Sequence, residues 1–233
     1  MSTVDIGTLY VVSTPIGNLK DINSRALDVF AEVDYILCED TRVTKKILNQ
    51  YNISSKLVSY NENSEIRKIP RIIEDLNENY KIALVSDAGT PCVSDPGFRL
   101  ISHIKENNLD INVFPIPGAT ASIAALSVSG LPSDSFYFVG FLPKKKGRNK
   151  KINELKDIGC SIILYESPYR VNKTLSDLFD ILGNRKVFVS REMTKLYEEY
   201  SYNDLETMVA SNSQKNPKGE YVIIVAKQGY KCE

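Results

Sequence analysis

Histidine is nearly absent from this chain of 233 residues: His103 is the only one, and four cysteines, Cys38, Cys92, Cys160 and Cys232, are scattered without a C-x-x-C pair. A zinc site of the usual Cys/His kind therefore has no support, and a Ser-His-Asp or Cys-His nucleophile is equally hard to build. Cys38 and Cys160 sit in apolar runs and read as small buried hydrophobes. His103 falls in a helical pattern and reads as a surface residue. Net charge is absent too. Lys+Arg and Asp+Glu both number 29, so no global field draws the chain to nucleic acid, and any such binding needs a local patch. No apolar run approaches the ~18 residues that span a bilayer. The first residues carry neither a basic region nor a long apolar segment, so secretion is not expected and the cytoplasm is the default. G-x-G-x-x-G and G-K-[ST] are both missing, which removes the dinucleotide fingerprint and the P-loop.

What remains is an ordinary globular composition, 42% hydrophobic and 25% charged, long enough for one large domain or two small ones. Strand-length apolar runs at Thr8–Ser13, Asp34–Cys38, Leu57–Tyr60, Lys81–Ser86 and Ile111–Phe114 alternate with segments of helical period. In 22–33 the residues Ile22, Ala26, Val29, Phe30 and Val33 share a face. In 64–79 the stripe is Ile66, Ile69, Ile73 and Leu76, and 41–51 and 98–107 are similar. Continuous apolar strands separated by helices predict a parallel sheet covered on both sides. After a division near 115–118 come a small-residue helix (119–129), strands at 135–141 and 160–165, and a linker between them. A helix follows from Pro168, placed at its first position after Ser167, and then strands at 186–190, near 197–202 and at 220–226. Strands cluster more closely here, which suggests a mixed sheet. The expected organisation is α/β throughout, with an N-terminal subdomain over 1–116 and a C-terminal one over 117–233.

Chemistry-bearing residues gather where strands end. The fourth run empties into Val-Ser-Asp-Ala-Gly-Thr-Pro-Cys-Val-Ser-Asp-Pro-Gly, 85–97, longer than a strand-to-helix turn needs. Open α/β sheets bind ligands beyond the carboxyl ends of their strands; glycine lets backbone approach closely and proline stiffens it. The first run ends in Ser-Thr-Pro-Ile-Gly-Asn-Leu (13–19), the second in Cys-Glu-Asp-Thr-Arg (38–42). There, two acids beside a threonine N-cap could serve the helix dipole or a substrate. Pro-Gly-Ala-Thr (117–120) frees backbone N–H groups at a helix start, where a carboxylate binds well. The run Lys144–Lys151 holds six basic residues in eight. It suits either a solvated linker or phosphate contact, and no aromatic residue interleaves to stack on bases.

Taken in order, Leu9–Leu19, Glu-Asp-Thr-Arg (39–42), Ser-Asp-Ala-Gly-Thr-Pro (86–91), Ser-Asp-Pro-Gly (94–97), Tyr-Glu-Ser-Pro-Tyr-Arg (165–170) and Lys-Gly-Glu (218–220) resemble the small-subunit ribosomal RNA ribose methyltransferases of the tetrapyrrole methylase superfamily. The likeness runs from about residue 8 to 226. It implies two α/β subdomains of the class III methyltransferase kind, with the cofactor in the cleft between them, and a homodimer. It also implies transfer of a methyl group from S-adenosylmethionine to a cytidine ribose 2′-hydroxyl in the decoding region of small-subunit (16S) rRNA. By motif match the cofactor would be lined by Pro15 and Gly17, by Ser86, Asp87, Ala88, Gly89, Pro91 and Val93, and by Gly118, Ala119, Thr120 and Ala121. Tyr165, Glu166 and Ser167, with Lys218 and Gly219, would complete it. Glu39, Asp40 and Arg42 would face the substrate, the two acids being preferred to Asp87 as base for the hydroxyl proton. No metal is implied. Relatives often carry histidines where Asn61 and Asn63 stand here, so no histidine base is expected. Many also continue into a small helical domain beyond the point where this sequence ends. That adds weight to RNA contact by Lys144, Lys145, Lys146, Arg148, Lys150 and Lys151.

Overall fold

A computed structural model describes residues 6–212 and 218–231; Cys232 lies outside the described residues. The chain divides into two compact units, 1–120 and 121–233. The first holds strands β1 (Thr8–Val12), β2 (Tyr35–Cys38), β3 (Leu57–Ser59), β4 (Lys81–Leu84) and β5 (Asn112–Ile116), with helices α1 (Ser24–Glu32), α2 (Thr41–Gln50), α3 (Glu65–Asn77) and α4 (Phe98–Glu106). All neighbouring strands pair in parallel, in the order β3-β2-β4-β1-β5. Side chains alternate along each strand, so Leu37, Ile82 and Leu84 bury against Ile72 and Leu76 of α3 and Leu100 and Ile104 of α4. Ile36, Cys38 and Ala83 bury against Ala26 and Phe30 of α1 and Ile47 and Leu48 of α2. The chain thus leaves β2 toward one face and β4 toward the other. Adjacent strands that part in this way open a crevice at their carboxyl ends, the usual ligand position in such sheets.

The second unit carries a mixed sheet, β6 (Phe136–Phe141), β7 (Ser161–Glu166), β8 (Lys186–Arg191), β9 (Glu199–Asp204) and β10 (Tyr221–Val225), in the order β6-β7-β10-β8-β9. Only β6 and β7 are parallel. Helices α6 (Arg148–Glu154), α7 (Val171–Leu182) and α8 (Leu205–Asn212) cover one face through Ile152, Leu175, Leu178 and Met208, packed on Ile162, Leu164, Val187 and Ile223. Helix α5 (Ala121–Val128) lies against β7 and β10, where the hydroxyl of Tyr165 accepts from the Ser122 N–H at 3.1 Å. No helix among the described residues is long and apolar enough to cross a membrane.

Several details differ from the sequence reading. The run expected to be a linker contains α6, because Arg148, Ile152 and Leu155 share a buried face. Helix α8 is likewise unforeseen. Helix α7 starts at Val171, not Pro168: residues 168–170 form a turn, and Arg170 at φ −123° breaks helical continuity. On α3 the buried stripe is Ile69, Ile72 and Leu76, with Ile66 67% exposed. The helix is rotated because Glu65 faces inward. Its carboxylate accepts from Gly97 N–H at 3.0 Å and Tyr60 hydroxyl at 3.2 Å, with Arg99 at 3.6 Å. The N-cap of α2 is Asp40, not Thr41, its carboxylate accepting from Arg42 N–H at 2.8 Å. Strand β5 runs on through Pro115, tolerated because β5 is an edge strand.

Gly97 closes the long loop at φ +127°, and a Cβ there would stand 2.6 Å from Leu84 Cδ2 and 2.8 Å from Cys92 Sγ. Gly97→Ala adds both backbone strain and overpacking, and is expected to cost about 2–4 kcal/mol. The reading is a lower urea midpoint with an unchanged slope.

Candidate active site

The loop after β4 bonds to the end of every other strand in its sheet. At β1, Gly89 and Thr14 exchange backbone hydrogen bonds of 2.9 and 3.1 Å, and the Ser13 and Thr90 hydroxyls meet at 3.0 Å. At β2, one carboxylate oxygen of Asp87 accepts from the Asp40 N–H at 3.0 Å. At β3, the Gly97 N–H and the Tyr60 hydroxyl share the Glu65 carboxylate. Beyond β5, Thr90 donates to the Ala119 carbonyl at 3.0 Å and meets the Thr120 hydroxyl at 2.6 Å. Gly118 passes so close to Ser13 that a Cβ would come within 2.8 Å of its Cβ. Gly89, Cys92, Ser94 and Gly97 all hold positive φ. Two of these lack glycine's freedom, a cost sustained only where surroundings over-determine the backbone.

Four carboxylates collect at the β2–β4 crevice, and each is tuned differently. Asp40 caps α2 and is gripped by Arg42, whose Nη2 lies at 2.6 Å and Nε at 3.0 and 3.1 Å. That pairing holds its carboxyl down at about 2. Burial raises Glu39, with Asp87, Glu62 and Asp40 adding like charge. Burial also raises Asp87, against the lowering effect of the Asp40 amide. Asp95 is pushed furthest, to about 6, by burial and the nearby Glu39 charge, the Ser86 hydroxyl opposing. A carboxyl with a raised value accepts protons better near neutral pH. Asp40, committed to Arg42 and the helix, is the weakest proton acceptor of the four, and Glu39 the more basic of the preferred pair. Asp95 belongs to this group although its motif singled it out only as part of Ser-Asp-Pro-Gly; the charge that acts on it most, Glu39, follows β2, which sequence order keeps apart.

The other expected site residues fall as follows. Pro15 is buried and Gly17 exposed just past β1; Ser86, Gly89 and Pro91 are buried, Val93 partly, and Ala88 is exposed in the long loop. Gly118, Ala119 and Thr120 follow β5, and Ala121 opens α5. In the second unit Tyr165 presents its hydroxyl to α5. Glu166 is spent internally: its carboxylate pairs with Arg170 at 2.7 Å and accepts from Thr174 at 2.6 Å and the Ser167 N–H at 2.7 Å. Gly219 has φ +96°, and a Cβ there would strike the Glu192 side chain; the Lys218 carbonyl accepts from Arg191 Nε at 2.6 Å. In the basic run Lys144, Lys145, Lys146 and Lys150 are exposed and Lys151 half-exposed. Arg148 is not available in the same way. Its side chain is 6% exposed, and the guanidinium is bonded to Asp177 at 2.8 Å and Thr174 at 2.6 Å, with Glu166 at 3.8 Å. Among the described residues no group of three or more His, Cys, Asp or Glu could hold a metal ion.

Residues 8–208 match the tetrapyrrole (corrin/porphyrin) methylase family, and the chain belongs to that family. A ribosomal RNA small subunit methyltransferase I from Halalkalibacterium halodurans is 50% identical, the alignment covering 98% of this chain and 79% of the relative. The protein of that name from Thermotoga maritima is 41% identical over 95% of this chain and 99% of its own. Among solved structures, the methyltransferase CobJ superposes with a TM-score of 0.72 over 97% of both chains at 17% identity. Uroporphyrin-III-C-methyltransferase from Thermus thermophilus gives 0.66 over 94% of both, also at 17%. These last two establish the fold alone.

The raised Asp95 value has a consequence for stability. Between the ordinary 3.8 and about 6 the folded chain holds a proton that the unfolded chain releases, so stability falls as pH rises through that window. Asp95→Asn is expected to raise the melting temperature at about pH 8 and to raise it by less at about pH 4.5, where the folded wild-type chain still holds the Asp95 proton. An equal shift at both values in a thermal melt would contradict this.

Proposed function

We propose that the chain transfers a methyl group from S-adenosylmethionine to the ribose 2′-hydroxyl of a cytidine in the decoding region of small-subunit rRNA, acting in the cytoplasm as a homodimer. The observation that carries this reading is the crevice beyond β2 and β4, where Glu39 stands with a raised proton affinity beside Asp87 and Asp95. The relatives, 40–50% identical across nearly the whole chain and named for small-subunit rRNA, supply the substrate class.

The residues fit the cofactor's chemistry. No basic side chain stands in 86–93 to select a phosphate, whereas Asp87 offers a carboxylate and the loop backbone offers small, close-approaching groups at Ala88 and Gly89. The opening amides of α5 lack intrahelical partners; the Ser122 N–H is given to the Tyr165 hydroxyl, and the others suit an amino-acid carboxylate. In this reading Pro15, Gly17, Ser86–Gly89, Pro91, Val93, Gly118–Ala121, Tyr165, Ser167, Lys218 and Gly219 hold S-adenosylmethionine. Glu166 acts only by fixing the backbone of its motif. Bound there, the cofactor would supply an electrophilic methyl group on a positively charged sulfonium. The chain's tasks are to orient the ribose and to remove its proton. Rigid strand ends serve the first, since alignment is the main demand of an in-line displacement. Glu39 serves the second, and Asp40 with Arg42 frames the substrate at the start of α2.

Glu39→Gln is expected to lower kcat by about 10²–10⁴ while calorimetry shows S-adenosylmethionine binding unchanged. Loss of cofactor binding in Glu39→Gln would move that carboxylate out of the base role. A ribose-methylation map of small-subunit rRNA, taken by mass spectrometry with and without the gene, tests the activity itself; an unchanged map refutes it.

A further inference from the structure

Edge strand β6 brings an aromatic ring into the basic run that sequence spacing keeps apart. Tyr137 pairs in register with Ile162, whose side chain belongs to the core under α6 and α7. Paired residues share a face, so Tyr137 stands on the helix-covered side of the sheet. β6 is the outermost strand of its sheet, and Tyr137 keeps 38% of its surface exposed. Lys151, from α6, lays its ammonium 5.6 Å from the ring centroid and approaches the hydroxyl at 3.4 Å. Its one acidic neighbour on the helix is Glu154, at 3.4 Å. Lys144, Lys145, Lys146 and Lys150 are exposed on the loop and first turn beside it. The run is also held in place. The buried Arg148 bonds to Asp177 and Thr174 and donates to the Pro143 carbonyl at 3.4 Å, fixing both ends of the lysine loop.

A partly exposed ring, bordered by exposed ammonium groups on an anchored loop, matches what an unpaired nucleotide presents: a flat base flanked by phosphates. We propose that Tyr137 is a stacking platform for an unpaired base of the RNA substrate, with Lys144, Lys145, Lys146, Lys150 and Lys151 neutralising the neighbouring phosphates. The proposal rests on the reading of the substrate as RNA, and it adds where on the second unit that RNA is gripped. Arg148 is the positioning residue of the platform and touches no nucleotide.

The chain contains no tryptophan, so Tyr137→Trp places a single indole reporter at the platform. The full-length variant is titrated at low salt with an unstructured cytidine-rich RNA oligonucleotide, and separately with inorganic polyphosphate. Stacking quenches indole emission with the oligonucleotide and not with polyphosphate. Tyr137→Leu, checked for folding by its thermal melt, weakens oligonucleotide binding by about tenfold. Changing Lys144, Lys145 and Lys146 together to Gln lowers the slope of log affinity against log salt by about 2. Oligonucleotide binding that leaves both indole emission and the Tyr137→Leu affinity unchanged overturns the platform, and so does an oligonucleotide that does not bind the wild-type chain. Calorimetry with S-adenosylmethionine on the same samples separates the two ideas. A silent indole in a protein that binds cofactor and methylates small subunits sinks the platform alone. A protein that binds RNA through Tyr137 but not S-adenosylmethionine sinks the methyltransferase reading alone.

Discussion

The hydrogen bond from the Asp40 amide to the Asp87 carboxylate belongs to a set of ties on which the first unit depends. A parallel sheet leaves its carboxyl ends as separate loops, each free to wander unless something joins them. Here the loop after β4, the central strand, joins them all: by a two-way backbone pair to Thr14, by the Asp87 carboxylate to β2, by Glu65 to β3, and by the Thr90 hydroxyl to the segment after β5. The positive φ values at Gly89, Cys92, Ser94 and Gly97 follow from that constraint. A chain that must visit four neighbours within a dozen residues cannot keep relaxed dihedrals throughout, and the visits over-determine the strained ones.

The same constraint accounts for the electrostatics. Drawing the strand ends together crowds Glu39, Asp87 and Asp95 where water is partly excluded, so each is harder to ionise than a free carboxyl. Asp40 escapes because Arg42 and the start of α2 both favour its charged form. One crevice therefore holds an acid charged at neutral pH beside others that hold protons more readily. Environments that push neighbouring carboxyls apart in this way separate a structural charge from a group able to exchange a proton. Among the residues first singled out as acids, identity did not distinguish them; the partner of each did.

Much of the fold was legible because its signals are local. Alternating apolar strands and amphipathic helices locate all ten strands of the described residues within a few residues, and the mixed character of the second sheet follows from their spacing. What was not legible involves charge turned inward. Glu65 rotates α3 so that Ile72 replaces Ile66 in the core, and Arg148 hides a helix inside a lysine-rich run. Charged residues are rarely buried unless paired, so a sequence read one residue at a time assigns both to the surface. Their partners, Gly97 and Asp177, lie about thirty residues away in the chain, and only the folded structure supplies them.

Arg148 and Glu166 show how far such pairing reaches. Read as a sequence, Arg148 belonged with the RNA contacts and Glu166 with the cofactor contacts. In the structure they join one buried network with Arg170, Thr174 and Asp177. Removing one member of a buried ionic network leaves an uncompensated charge, which costs more than the pair contributes by itself. The network thus fixes the Tyr165–Ser167 motif and the lysine loop as parts of one rigid piece of the second unit. With the motif holding the methyl donor and the loop holding RNA, as we propose, their relative placement is set by groups that touch neither ligand. Their pairing satisfies buried charge on both sides, which explains why an arginine sits inside a run of otherwise exposed lysines.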